Sequence, residues 1–490
     1  MKNIKLIILS TVLFSILSSC SDEIDNLSPF TQVDPVEFLD NPQAFQIAVD
    51  GMYNQFFNYY ASPGSAMQGI PDILSDNAVL ATTGRRSNQV FFNYQYTSVT
   101  GGAIALYFSE AYEAVNVANL VIGQIDNLPA GEVRDNILGQ VLAGRALAHF
   151  DLVRTYAPIP TQSNDANNAL GITYVKVEDG DIEDPFISPI RETVASNYTE
   201  IIDDLVSASA LISTENNEGR LTRNGVFAIL SRVYLYMGQY QNAIDAANQV
   251  TTPLATIPEL PGVYTDSNNA GIVVEFSVNT SSEANAANVG VIYSQGSLDA
   301  DTGEITNTIS EYVVDLEFLN SISDDDARKE VIQFDSANGD AEHNGIRKFL
   351  GEEGQVNGRL DTKAIRAAEV LLNKAEAQFE LGLEGPALTT LNELRAERFN
   401  NFVAGTETGQ DLEDAIQFER RVELAFEGHR FFDIKRRGEA LQRSSFGDLR
   451  DGTGTPAEIQ TLPAGDFRFQ FPIPIAEINA NPNYVQNPGY

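Results

Sequence analysis

Between residues 419 and 438 three glutamates, Glu419, Glu423 and Glu427, recur at four-residue spacing among Arg420, Arg421, Arg430 and His429, a set that could serve acid–base chemistry. The apolar residues threaded through it argue otherwise. Ile416, Val422, Ala425, Phe426, Phe431 and Phe432 fall near helical spacing and demand a buried stripe. Charges carried into an interior tolerate it only when paired, and like charges four apart each need a cation, for which Arg420, Arg421 and Arg430 are at hand. The expected chemistry is a structural ion network with His429 inside it.

The remaining candidates for catalysis are thin. His149 and His343 stand in unrelated settings, no zinc-ligand spacing occurs, and neither a glycine-rich phosphate loop nor a nucleophile elbow is present. With 68 acids many carboxylate pairs arise by accident, and none is singled out for glycoside hydrolysis. No catalytic residue is assigned, and the chain reads as a binder that needs no cofactor. A structural calcium ion is the one metal left open. Asp324, Asp325 and Asp326, and residues 335–342 around Gly339, offer oxygen ligands near a turn, without EF-hand spacing.

Mainly helical elements must position these residues. Helical spacing of apolar residues predicts helices over 45–59, 107–125, 136–156, 191–211, 222–250, 362–381, 385–398 and 415–432. Ala228, Ser231, Gly238, Ala243 and Ala246 put small residues and a turn glycine where two antiparallel helices would meet, as in a tetratricopeptide-type hairpin, and a second such pair breaks at Leu381-Gly382. Pro158-Ile159-Pro160 stops the helix before it. Two long polar regions, about 61–106 and 251–361, interrupt the helices; within them residues 90–96, 271–278 and 289–293 have strand character. Long irregular stretches inside a domain are where ligands are sought first.

Composition narrows the partners. A net charge of −37 and a pI near 4.3 argue against tight nucleic-acid binding, which needs a concentrated basic surface. Lys2 and Lys5 precede an apolar run over residues 6–17, short for a membrane span, which ends at Cys20, the only cysteine. The expectation is a lipoprotein signal over residues 1–19, lipid attachment at Cys20, an acidic tether over 20–40 and a single domain over 41–490. No disulfide can form within the chain.

The run E-R-R-V-E-L-A-F-E-G-H-R from Glu419, with D-I-K-R-R from Asp433, and the terminal run P-I-P-I-A-E-I-N-A-N-P-N-Y-V-Q-N-P-G-Y from Pro472 resemble the two signatures of the SusD/RagB family of outer-membrane nutrient-binding lipoproteins of Bacteroidetes. The resemblance implies a SusD-like scaffold of tetratricopeptide-type hairpins with long loops and a few short strands. It implies a lipid-anchored protein on the cell surface, partnered with a SusC-like TonB-dependent transporter to which it delivers oligosaccharides. Two other readings stay open: a peptide-binding RagB-like lipoprotein, and a scaffolding lipoprotein without nutrient binding.

In the family the ligand loop precedes the helix that corresponds here to residues 107–120. Asp72, Asp76, Asn77, Arg85, Arg86, Asn88, Tyr94 and Tyr96 occupy that place, with Tyr293 as a second contribution. Sugars need rings to stack on and in-plane hydrogen-bonding partners for their hydroxyls. Tryptophan is absent, so 18 tyrosines and 27 phenylalanines must do any stacking, while Arg85 and Arg86 suit uronate carboxylates. The competing account of residues 90–96 is a buried strand, with Arg85-Arg86 as a solvated turn.

Overall fold

The computed structural model describes residues 38–62, 67–176, 188–277, 289–298, 302, 305–351 and 360–490. The signal segment, Cys20 and the tether up to residue 37 lie outside them. Among the described residues no helix is long and apolar enough to cross a membrane.

Helix α1 (Pro42–Ala61) starts where Asn41 accepts the Ala44 amide and Pro42 presets the first turn. α2 (Ala103–Gly123), α3 (Glu132–Tyr156) and α4 (Val194–Leu211, capped by Thr193) pack in succession, with α3 against the other three. α3 is buried over most of its C-terminal half. Two hairpins follow: α5 (Arg223–Tyr236) with α6 (Tyr240–Ala247), turning at Gly238 in the left-handed region (φ 69°), and later α7 (Ala367–Glu380) with α8 (Glu384–Ala396). α6 lies on α7, so the hairpins stack as the small-residue pattern requires. α9 (Gly409–Glu423), α10 (Arg430–Arg436) and α11 (Ile475–Ala480) complete the helices used below.

Short antiparallel strands occupy the irregular regions. β1 (Ala78–Leu80), β5 (Tyr312–Val314), β7 (Ala341–Ile346) and β6 (Gln333–Asn338) form a sheet in that spatial order. β2 (Ile272–Phe276) pairs with β8 (Thr362–Arg366), and β3 (Ser294–Leu298) with β4 (Ile305–Ser310). The two polar regions are thereby joined, since Leu80 of the first faces Tyr312 of the second.

Four local expectations are corrected. Residues 362–366 are strand rather than helix, because β2 supplies a partner remote in sequence, with Ile272 opposite Arg366. Residues 289–293 and 90–96 are not strands: Gly290–Tyr293 and Gln89–Phe92 each form one helical turn. The helix expected over 415–432 breaks after Glu423, where Phe426 (φ 67°) and Gly428 (φ 82°) turn left-handed and α10 restarts at Arg430. A Cβ on Gly428 would lie 2.3 Å from the Met67 carbonyl oxygen, so close approach and backbone conformation both require glycine there.

Candidate functional site

The ion network around the broken helix is buried and paired, with partners other than the neighbouring arginines. Glu423 meets Arg398 at 2.8 Å and Arg366 at 2.7 Å, Glu427 meets Arg366 and Lys348, and Glu419 meets Arg328 and Arg395. Burial would raise the Glu423 carboxyl, but the Arg398 and Arg366 charges hold it well below the usual range. Arg420 instead reaches Asp433 and Asn373. His429 is buried and held far below its usual pKa, chiefly by burial and then by the Arg232 and Arg420 charges.

Arg421 and Arg430 leave this cluster and grip the segment expected to bind ligand. Arg430 donates twice to the Asp76 carboxylate, at 2.7 and 2.9 Å, and Arg421 Nε donates to Asn77 Oδ1 at 2.8 Å. Burial alone would raise Asp76; Arg430 and then Arg421 outweigh it and hold the carboxyl at about 2. Asp72 is fully buried and accepts the amides of Phe426 (3.0 Å) and Gly428 (2.5 Å), the left-handed residues of the break. Burial pushes its carboxyl up to about 7 despite those amides.

This placement corrects most of the expected ligand contacts. Asp72, Asp76 and Asn77 are buried and spent on the break, and the hydroxyls of Tyr94 and Tyr96 donate to the carbonyls of Leu74 and Arg468. Tyr293 is fully buried, its hydroxyl facing the carbonyls of Gln68, Gly69 and Phe426. Phe91 and Tyr96 pack with Phe471, so the aromatic collection is core. These side chains position the loop; a ligand in solvent does not reach them.

Arg85, Arg86 and Asn88 remain at the surface, on a strapped loop over residues 82–88. Its first residue, Thr82, is held by Asp448, which accepts the Thr82 amide at 2.8 Å and hydroxyl at 3.0 Å. Buried His343 contacts the Thr83 hydroxyl through Nε2 at 3.1 Å and the Asp448 carbonyl through Nδ1 at 2.6 Å. A Cβ on Gly84 would lie 2.6 Å from the Ser310 carbonyl oxygen, so the loop lies flat on β4. Buried Glu311 pairs with Arg85 and accepts the Ser87 amide at 2.8 Å, while Tyr312 donates to the Ser87 carbonyl at 2.7 Å. Arg86 (φ 61°) and Asn88 (φ 57°) are left-handed, a concentration of strain typical of functional loops. Among the described residues no carboxylate pairs with Arg86, which is exposed.

The sequence reading missed Asp448 and its turn. Asp448 also accepts the Thr455 amide at 2.8 Å, so it joins the 446–455 turn to the loop, and Phe446 in that turn is 37% exposed. Arg450 lies 3.4 Å from both Asp335 and Glu342. No motif marks these residues; only the fold brings them beside residues 82–88. The face offers guanidinium, amide and hydroxyl groups with one partly exposed ring, an arrangement suited to hydroxyl- or carboxylate-bearing ligands.

Of the acidic groups considered for calcium, Asp324 pairs with Lys329, the Asp325 carboxylate accepts from Asn401, Asp326 chelates Arg328, and Asp335 and Glu342 lie 3.4 Å from Arg450. Elsewhere Glu218, Glu275 and Asp361 bring carboxylate oxygens within 4.8 Å of one another.

Comparison with known proteins adds two family matches, to the SusD family over residues 321–490 and to the family described as starch-binding, associating with outer membrane, over residues 35–235. SusD-like protein P2 of Formosa agariphila is 25% identical over 98% of each chain. Among solved structures, a SusD superfamily protein from Bacteroides thetaiotaomicron superposes with a TM-score of 0.77 at 26% identity, covering 91% of this chain and 100% of that one. A laminarin-binding SusD-like protein gives a TM-score of 0.68 at 22% identity over 92% and 100%.

Proposed function

The chain belongs to the SusD/RagB family, and on that premise we propose that it is a non-catalytic, lipid-anchored surface protein that captures oligosaccharides and delivers them to a TonB-dependent outer-membrane transporter. The observation that carries the ligand reading is the loop over residues 82–88, strapped to its neighbours yet presenting Arg86, which no carboxylate among the described residues pairs with. A preorganised cation loses little entropy on binding, and its fork suits vicinal hydroxyls and uronate carboxylates. The laminarin-binding neighbour and the starch-binding family description favour a glycan over a peptide. The buried state of His149, His343 and His429 favours binding without chemistry, since none faces solvent where a substrate would lie. Cys20, outside the described residues, supplies the anchor in this reading, and the acidic surface keeps nucleic acid away.

Calorimetric titration against algal and plant oligosaccharides, uncharged and uronate-bearing, beside a peptide digest tests the proposal. Heat with a glycan and none with peptides supports it; heat with peptides alone replaces it by the RagB-like reading.

A further inference from the structure

A cavity among the described residues opens between α2 and α11, with none of residues 82–88 in its lining. It holds about 470 Å³, within the range of small-ligand sites. Phe108 and Tyr112 form one wall, their ring centres 4.8 Å apart, and Tyr484 stands edge-on to Phe108 at 6.3 Å.

The polar groups of this wall divide unequally. Three of its donors are occupied by carbonyls: Tyr112 donates to Thr173 at 2.8 Å, Thr173 to Ile190 at 2.9 Å, and the Asn481 amide to Pro189 at 2.7 Å, while the Tyr484 hydroxyl sits 3.2 Å from Thr173 Oγ1. Arg191 lies close by, with its guanidinium spent on the carbonyls of Gly171, Leu170 and Val485. Among the described residues that line the cavity there is no lysine or arginine. Glu477, on α11, does line it, and among the described residues its carboxyl has neither an ion-pair partner nor a hydrogen-bond donor. Burial raises its pKa.

A half-buried carboxylate beside aromatic faces, with no cation among the described lining residues, is short of one thing: a cation that brings its own N–H groups and an apolar carrier. We propose that this cavity is a second ligand site, which binds a primary ammonium group against Glu477 with the carrier of that ammonium resting on Phe108 and Tyr112. Two ligands share this chemistry, an amino sugar and a lysine side chain of a peptide. The site goes beyond the proposed glycan loop and stands whether or not that loop binds sugar.

The test is calorimetric titration of the full chain with D-glucosamine, with Nα-acetyl-lysine methylamide and with D-glucose as the uncharged control. Millimolar binding of at least one ammonium ligand, none of glucose, and a loss of about ten-fold in Glu477→Gln support the site; whichever ammonium ligand binds more tightly identifies the source. Ala480→Leu, which fills the cavity from an exposed helical position, must give the same loss with an unchanged melting temperature. Equal binding of glucose, unchanged affinity in both variants, or no binding of either ammonium ligand at millimolar concentration overturns it.

Discussion

Arg430 and Asp76 form a two-point ion pair, Nε to Oδ1 at 2.7 Å and Nη2 to Oδ2 at 2.9 Å, across 354 positions of sequence. The pair fastens the start of α10 to the residue two positions before β1, and β1 leads into the exposed loop. The C-terminal signature is therefore scaffold, as its charge pattern suggests, and part of what it holds in place is the exposed loop over residues 82–88. Its removal should be felt in both stability and binding.

Arg430→Ala leaves Asp76 nearly buried with Arg421 as its remaining cation. The expected cost is roughly 2–4 kcal/mol, read from urea unfolding. Ligand affinity should fall with it by a few-fold, because the segment leading to β1 loses its clamp. Unchanged stability in the variant contradicts this account of the pair.

Asp72 gives the chain a pH dependence of definite sign. Its carboxyl titrates at about 7 in the folded protein and near 3.8 when free, so the folded state holds the extra proton between those values. Stability is then fully present below about pH 4 and declines as pH rises through about 7, by up to about 1.4 kcal/mol per pH unit from this group. Asp76 acts oppositely: its folded value of about 2 makes its contribution present above pH 3.8 and lost as pH falls through about 2. Urea melts across pH 4–8 should show the decline in the parent chain and a shallower one in Asp72→Asn. An equal slope in both removes Asp72 as its source.

Gly84→Ala tests whether loop placement matters for the ligand. The added Cβ meets the Ser310 carbonyl oxygen at 2.6 Å, and neither backbone can retreat while Glu311 holds Ala81 and Ser87. Loss of glycan binding with a small drop in melting temperature is expected. Retained affinity shows that the ligand lies elsewhere.

Cys20→Ser should move the protein from the membrane fraction to the soluble fraction after export, because a lipid chain supplies about 0.8 kcal/mol per buried methylene and its loss leaves no other anchor in this reading. Membrane retention of the variant counts against lipid attachment at that residue.

What was legible in the sequence was local or periodic. The spacing of Phe45, Val49, Met52 and Phe56 marks α1, and Gly238 marks the hairpin turn, because each depends on neighbours within a few residues. The break after Glu423 was not legible. Phe426 takes a left-handed conformation that a phenylalanine ordinarily avoids, and the carboxylate that receives its amide belongs to Asp72. Strand 362–366 was misread for the same reason, as its partner β2 is remote. The aromatic run up to Tyr96 looked like a platform; whether such rings face ligand or core is decided by Phe471 and Tyr490, which pack on Tyr96 from the other end of the chain. Asp448 carries no signal at all, since its role consists of contacts to three residues, Thr82, His343 and Thr455, made by folding.

The central claim is that residues 82–88 present a preorganised cation to an oligosaccharide. Arg86 is exposed and no carboxylate among the described residues pairs with it, so Arg86→Ala should leave the melting temperature within a degree or so of the parent, as surface substitutions do. The decisive measurement is calorimetric titration of parent and Arg86→Ala with the oligosaccharide that binds best in the panel. A loss of about ten-fold in affinity, as expected for one charge-assisted contact, supports the claim; equal affinity in the two proteins contradicts it.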